Sequence, residues 1–248
     1  MLVLRIPIRK SWGQNFIIDK NTINKIIQII NPKQDEHIIE IGPGKGAITL
    51  PLLDKVKKIT AIEIDPLLSN YLNEKNKDKL IITNIDFMDW TPDFKTKKRI
   101  FGNLPYYVSS PIIFKIINEE LFYEAIIMVQ KELALRLIAQ DNTKDYSRMS
   151  VMAQTFCDVE INMNISKNIF NPKPKVESNI VTLKKKKINL NFKEYEKFIK
   201  LSFQHKRKKI RNNLKNHIDK KGLDLLGDRR PENISVIEYI DIFNKYFF

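Results

Sequence analysis

Three features of the 248-residue sequence predict an α/β fold, a mostly parallel sheet covered by helices, followed by a small all-helical part. Short, nearly continuous apolar runs alternate with stretches whose apolar residues recur at i, i+3, i+4 and i+7, the pattern of buried strands joined by amphipathic helices. A glycine turn, Gly42-Pro43-Gly44-Lys45-Gly46, sits between one such strand and the helix after it. Beyond Phe192 the pattern is helical to the end of the chain.

Taken in order, residues 1–18 form a basic and aromatic arm, with Arg9-Lys10-Ser11-Trp12-Gly13-Gln14-Asn15-Phe16 offering amides that can line a pocket. A helix begins near Asp19, puts Ile23, Ile26, Ile27 and Ile30 on one face, and stops at Asn31-Pro32. Ile38–Ile41 reads as a strand, and a helix is expected over Ala47–Val56 after the glycine turn. That order places backbone N–H groups at the carboxyl end of a strand, the ligand crevice of an open α/β sheet. The spacing is G-x-G-x-G, which weakens a nicotinamide or flavin reading, since that fingerprint is G-x-G-x-x-G.

A second strand, Ile59–Ile64, carries Glu63 at its end, with Asp65 just beyond. Glu63 follows Gly42 by roughly 20 residues, which suits a carboxylate accepting from two ribose hydroxyls; a solvated strand-end acid is the competing reading. The third strand, Leu80–Ile85, leads into Asp86. This acid can accept from the amino group of an adenine, with Asp89 or simple helix capping as alternatives. The fourth runs from Ile100 into Asn103-Leu104-Pro105-Tyr106-Tyr107. There the Asn103 side-chain carbonyl and the Leu104 backbone carbonyl can accept both hydrogens of an exocyclic amine. Pro105 stiffens the turn without presenting an N–H, and Tyr106 can stack on the attached ring. Asn and Pro are also ordinary turn formers, so this stretch alone leaves the choice open.

A helix over Pro111–Asn118, a strand over Ala125–Val129 and a helix over Lys131–Ala139 follow. Val159–Ile165 and Ser178–Leu183 then read as an antiparallel hairpin at the sheet edge, flanking Phe170-Asn171-Pro172-Lys173-Pro174-Lys175-Val176. In the C-terminal part Phe192, Tyr195, Phe198, Ile199 and Ser202 share a helix face. Phe203, Ile210 and Leu214 continue an apolar stripe through the basic run Gln204–Asn213. Its cations are therefore expected on the outer side of a helix, where they can meet phosphates. Arg230-Pro231-Glu232 opens a last helix with Ile234, Ile237, Ile240 and Ile242 assigned to the core.

The balance of 43 Lys and Arg against 29 Asp and Glu gives a net charge of +14 and points to a polyanionic partner, although a compositional drift toward Lys, Ile, Asn and Phe accounts for part of it. No apolar run is long enough to span a bilayer and no signal-peptide pattern opens the chain, which predicts a soluble, cytoplasmic protein. The single cysteine, Cys157, excludes an internal disulfide, and with three scattered histidines it predicts no zinc site.

Six stretches, in order along nearly the whole chain, closely resemble the ribosomal RNA adenine dimethyltransferases, above all their bacterial small-subunit branch. They are Gly13–Phe16, Glu40–Gly46, Glu63–Asp65, Asn103–Tyr106, Phe170–Ser178 and Gln204–Leu214. The resemblance implies a Rossmann-like class I methyltransferase domain over 1–187 and a helical RNA-binding domain over 188–248. It implies S-adenosylmethionine as methyl donor, with Asn15 and Ile17 closing over it and Gly42 and Gly44 at its methionine part. Glu63 would meet its ribose and Asp86 its adenine. Asn103 would serve both the cofactor pocket and the catalytic motif Asn103, Leu104, Pro105 and Tyr106. Tyr106 and Phe170 would sandwich the target base, and Lys206, Arg207 and Arg211 would hold phosphates. The implied substrate is a pair of adjacent adenosines near the 3′ end of small-subunit (16S) ribosomal RNA, dimethylated in a pre-small-subunit particle by a monomer that needs no metal. Tyr107 departs from the pattern, since bacterial members often carry Asn after Asn-Leu-Pro-Tyr. The rival readings are a large-subunit adenine methyltransferase of the macrolide-resistance type and a noncatalytic ribosome-assembly or transcription factor. A protein-amide methyltransferase is disfavoured by Leu104.

Overall fold

The computed structural model describes Arg9, residues 13–75 and residues 78–247. The expectations for Lys10, Ser11 and Trp12 fall outside these residues. From the N-terminus, a two-residue strand β1 (Phe16–Ile17) precedes α1 (Lys20–Ile30), which Asp19 caps by accepting from the Thr22 N–H. Then come β2 (His37–Ile41), a short α2 (Thr49–Leu53), β3 (Lys58–Glu63), α3 (Pro66–Glu74), β4 (Leu80–Asn84) and β5 (Lys98–Asn103). These are followed by α4 (Ser109–Asn118), β6 (Phe122–Gln130), α5 (Lys131–Ile138), α6 (Arg148–Phe156) and β7 (Cys157–Ile165). The chain continues through β8 (Phe170–Asn171), β9 (Ser178–Lys185), α7 (Phe192–Ser202), α8 (Ile210–Leu214), α9 (Lys220–Leu226) and α10 (Val236–Tyr246).

Seven strands form one sheet in the order β4-β3-β2-β5-β6-β9-β7, and β1 pairs with β8 in a separate antiparallel ribbon. The ladders β4-β3-β2-β5-β6 are all parallel and β9 runs antiparallel to β6. Side-chain bonds from Asn179 to Asn164 (2.6 Å) and from Thr182 to Asn162 (2.7 Å) climb β9 while descending β7, so this edge is the expected antiparallel hairpin. The chain winds one way from β2 through β3 to β4, then returns to the other side of β2 for β5. The carboxyl ends of β2 and β5 therefore lie side by side at the point where the order reverses, where open α/β sheets bind ligands.

The chain divides into two compact units: the described residues up to Ala134 with Glu160–Lys184, and Leu135–Val159 with the described residues from Lys185 on. A single boundary at 187 therefore misses a segment, because α6 packs with α7 and α10. Helix α6 gave no amphipathic signal because seven of its nine residues are buried, Met149 to Ala153 and Thr155 to Phe156. Its first turn is held by the Ser147–Ser150 capping box and by Ser150 Oγ donating to the Arg136 carbonyl at 2.6 Å.

Two further expectations change in the second unit. The basic run is helical only at its end: α7 stops at Ser202, whose carbonyl accepts from the buried Asn213 Nδ2 at 2.7 Å, residues 203–208 form turns and a bend, and only Arg211 among its cations lies on α8. The last helix starts at Val236, behind a capping box between Ser235 and Glu238, and not at Arg230. That start puts Tyr239 and Ile242 inward and leaves Ile237 74% exposed. Cys157 is buried, and burial pushes its thiol up to about 11. Among the described residues no helix is long and apolar enough to cross a membrane.

Candidate active site

Four strand ends and one N-terminal segment enclose a cavity of about 170 Å³ in the first unit. Its floor is the glycine turn after β2. Gly44 has φ +58°, and a Cβ there would come within 3.1 Å of the Phe16 ring, so only glycine lets this aromatic close on the turn. The Gly44 N–H donates to Glu63 Oε2 (3.0 Å) and the Asp65 N–H to Glu63 Oε1 (2.9 Å). Burial raises the Glu63 carboxyl above its ordinary value, and these backbone donors work against that shift. Two donors occupy part of the acceptor capacity of a carboxylate, which has about four lone-pair sites, so capacity remains for two hydroxyls.

Asp86 lines the cavity just beyond β4, and Asp89 does not. The Asp86 side chain also caps the following turn by accepting from the Met88 N–H (2.8 Å). The turn is clamped from α4 by Lys115 Nζ, which donates to the carbonyls of Phe87 (2.6 Å), Met88 (2.8 Å) and Trp90 (2.5 Å). This clamp ties the helix that follows the Asn-Leu-Pro-Tyr stretch to the loop that presents Asp86. It had no sequence signal, because Lys115 stands among apolar neighbours like any surface lysine of an amphipathic helix.

The N-terminal segment closes the cavity through polar bonds. Gln14 Nε2 donates to the buried Asp65 (2.9 Å), which also forms an ion pair with Arg9 at 3.7 Å. Asn15 and Ile17 both line the cavity. The Asn15 carbonyl accepts from Asn103 Nδ2 at 3.1 Å. A carbonyl can only accept, so this bond fixes the Asn103 amide with Oδ1 as its free acceptor. Leu104 is anchored by its N–H to the Met128 carbonyl of β6 (3.0 Å), and its own carbonyl carries no described partner. The turn beyond is closed on the Pro105 carbonyl by Ser109 Oγ (2.8 Å) and the Val108 N–H (3.2 Å). Tyr106, half-buried, shares a 2.6 Å hydrogen bond with the buried Ser178 Oγ at the start of β9.

Asn15, Ile17, Gly42, Gly44, Glu63, Asp86 and Asn103 to Tyr106 thus all border one cavity. Phe170 does not. The β1–β8 pairing sets it opposite Ile17, and it packs into the core at 3% exposure, so the expected sandwich with Tyr106 is not assembled. In the second unit, Lys206 Nζ donates to the carbonyls of Lys144 and Tyr146, both at 3.0 Å, which makes it a brace of the fold. Arg211 lies 4.0 Å from Asp228, and Arg207 is exposed without a partner among the described residues.

Sequence reasoning assigned no role to Glu40. Its side chain is buried on the cavity wall with Oε2 unpartnered, and burial raises it to about 8, opposed by the Thr49 side chain and helped by the Glu63 carboxylate. A buried acid with a free oxygen at this place can hydrogen-bond a ligand group.

A family model described as ribosomal RNA adenine dimethylase matches residues 6–246. The ribosomal RNA small subunit methyltransferase A of Mycoplasmopsis pulmonis (strain UAB CTIP) is 45% identical over 212 residues, 84% of this chain and 83% of that protein. Among solved structures, a dimethyladenosine transferase from Plasmodium falciparum superimposes with a TM-score of 0.82 at 28% identity, covering 94% of this chain and all 100% of that one. The 23S rRNA methyltransferase ErmE gives 0.70 at 26% identity, over 93% of this chain and 100% of that one.

Proposed function

The chain belongs to the ribosomal RNA adenine dimethylase family, and we propose that it dimethylates the exocyclic amines of two adjacent adenosines near the 3′ end of small-subunit ribosomal RNA. The observation that carries this reading is the Asn103 amide. Its orientation is fixed by the Asn15 carbonyl, and it borders the same cavity as Tyr106, Glu63 and Asp86.

The cavity fits S-adenosylmethionine, which would supply a methyl group already activated on a sulfonium. Glu63 has acceptor capacity for the ribose hydroxyls, Asp86 for the adenine amine, and Gly42, where even a Cβ would meet only the Asn103 carbonyl oxygen at 3.9 Å, leaves room for the methionine part. The unpartnered Glu40 oxygen offers such a ligand one more hydrogen-bonding site. On the substrate side, Asn103 Oδ1 and the Leu104 carbonyl would hold the two amine hydrogens out of the purine plane. That geometry frees a lone pair otherwise delocalised into the ring and aims it into the cavity. Positioning then supplies most of the rate, and no strong base is needed. Tyr106, steadied by Ser178, would stack on a base that has left its helix, and stacking returns roughly 1–3 kcal/mol toward the unstacking penalty.

The cations of the second unit would add phosphate affinity, with Arg207 the most available. We infer that the protein acts as a monomer, in the cytoplasm, on a small-subunit particle still being assembled. The small-subunit target is favoured by the name of the 45% identical relative, and the likeness to a 23S rRNA methyltransferase makes the large subunit the alternative.

The test is transfer of labelled methyl to unmethylated small subunits, large subunits and naked RNA, with nucleoside analysis. Dimethyladenosine confined to small-subunit RNA is the expected result. Label in large-subunit RNA would move the target, and cofactor binding without transfer would favour an assembly factor.

A further inference from the structure

Tyr107 is an aromatic that the site leaves uncovered. It borders the cavity next to Tyr106, is 63% exposed, and its hydroxyl has no hydrogen-bond partner among the described residues. The other strongly exposed tyrosine, Tyr123, bonds Glu36 through its hydroxyl. An uncovered, unbonded aromatic that borders a cavity keeps a π-face open to a ligand.

The backbone that carries it is nevertheless fastened. The turn fastened to the Pro105 carbonyl sends Tyr106 inward to Ser178 and Tyr107 outward. One edge of the Tyr107 ring lies along Gly13, since a Cβ built on that glycine would come into ordinary van der Waals contact with its Cδ1 (3.4 Å) and Cε1 (3.6 Å). A ring flanked on one side and open on the other loses little freedom when something stacks on it. Two aromatics on consecutive residues, about 3.8 Å apart at Cα and turned in different directions, are suited to two consecutive nucleotides whose bases are splayed apart. Phe170 cannot take this part in its present packing, being buried in the core.

We propose that Tyr107 is the stacking platform for the nucleobase adjacent to the one held at Tyr106. Where the targets are neighbouring adenosines, one waits on Tyr107 while the other is methylated. This inference rests on the reading that the substrate is an adenosine in ribosomal RNA.

The test uses full-length protein loaded with S-adenosylhomocysteine and measures affinity for unmethylated small subunits, with wild-type methyl transfer run alongside. Tyr107→Ala and Tyr107→Leu are expected to bind about 5- to 100-fold more weakly, and Tyr107→Phe and Tyr107→Trp within about twofold of wild type, since the π-face carries stacking. Cofactor affinity should change less than RNA affinity in the alanine and leucine variants. A leucine variant that binds like wild type would overturn the proposal, as would a defect confined to cofactor affinity. Active wild type with four indistinguishable variants would sink this inference alone. Wild type that neither binds nor methylates small subunits would remove the functional reading and this proposal with it.

Discussion

Asn103 joins two jobs in one residue that borders the cavity, its Nδ2 holding the N-terminal segment and its Oδ1 left as an acceptor. Asn103→Ala removes both and should lower methyl transfer at least about 100-fold, the scale of losing one preorganised polar contact to a transition state. Cofactor binding should weaken yet stay measurable; normal turnover would end the acceptor mechanism. Glu40 yields a second expectation. Folded, it keeps its proton up to about pH 8, whereas an ordinary glutamate loses it near 4.5. Between those values the folded chain binds the extra proton, so its stability falls as pH rises, by something on the order of a few kcal/mol across the window. Glu40→Gln should flatten that fall, making the variant's thermal midpoint exceed wild type's near pH 9 and converge with it near pH 5. Parallel curves would mean that Glu40 is ionised inside. Glu63, Asp86 and Asn103, which the sequence singled out and the structure brings to one cavity, all stand at strand ends, where position along the chain fixes position in space. Glu40 was hidden because its significance is burial, and Phe170 because its orientation depends on a two-residue strand pairing that no periodicity announces.

At the level of elements, the reach of β5 toward β2 depends on Gly102. A Cβ there would lie 2.6 Å from the Ile41 carbonyl oxygen and 3.0 Å from the Ile41 Cβ, inside the parallel ladder itself. Gly102→Ala must push the two strands apart one residue before Asn103. We expect a loss of about 1–3 kcal/mol in denaturant unfolding, with methyl transfer reduced more than cofactor affinity. Unchanged stability would show that the ladder gives way at no energetic penalty. The strands themselves were readable because each is an apolar run bounded by turn residues, and β2 to β6 fall within a few residues of expectation. Helices were readable only where half exposed. Helix α2 came out shorter because the glycine turn takes up the residues assigned to its first turn, and α6 was missed because it has no polar face.

Across the whole molecule, net charge alone was a poor guide to which cations are available. Lys206 and Arg207 are neighbours with opposite fates, one bonded to two carbonyls and the other exposed. Lys206→Ala should destabilise the protein by about 1–2 kcal/mol through its lost hydrogen bonds. Arg207→Ala should leave unfolding unchanged, weaken RNA binding, and reduce the slope of log affinity against log salt by roughly one. Equal effects of the two on stability would contradict the bonding seen here. The helical second unit was legible in outline, but its turns were not, because they are set by single polar bonds such as Asn213 to Ser202. The lone cysteine has a practical corollary. With Cys157 buried and its thiol raised to about 11, almost no thiolate is present at neutral pH to react with a maleimide. A cysteine introduced at any exposed position would therefore be the sole attachment point for a dye or spin label. Motions of the N-terminal segment over the cavity could then be followed spectroscopically without first stripping the chain of competing thiols.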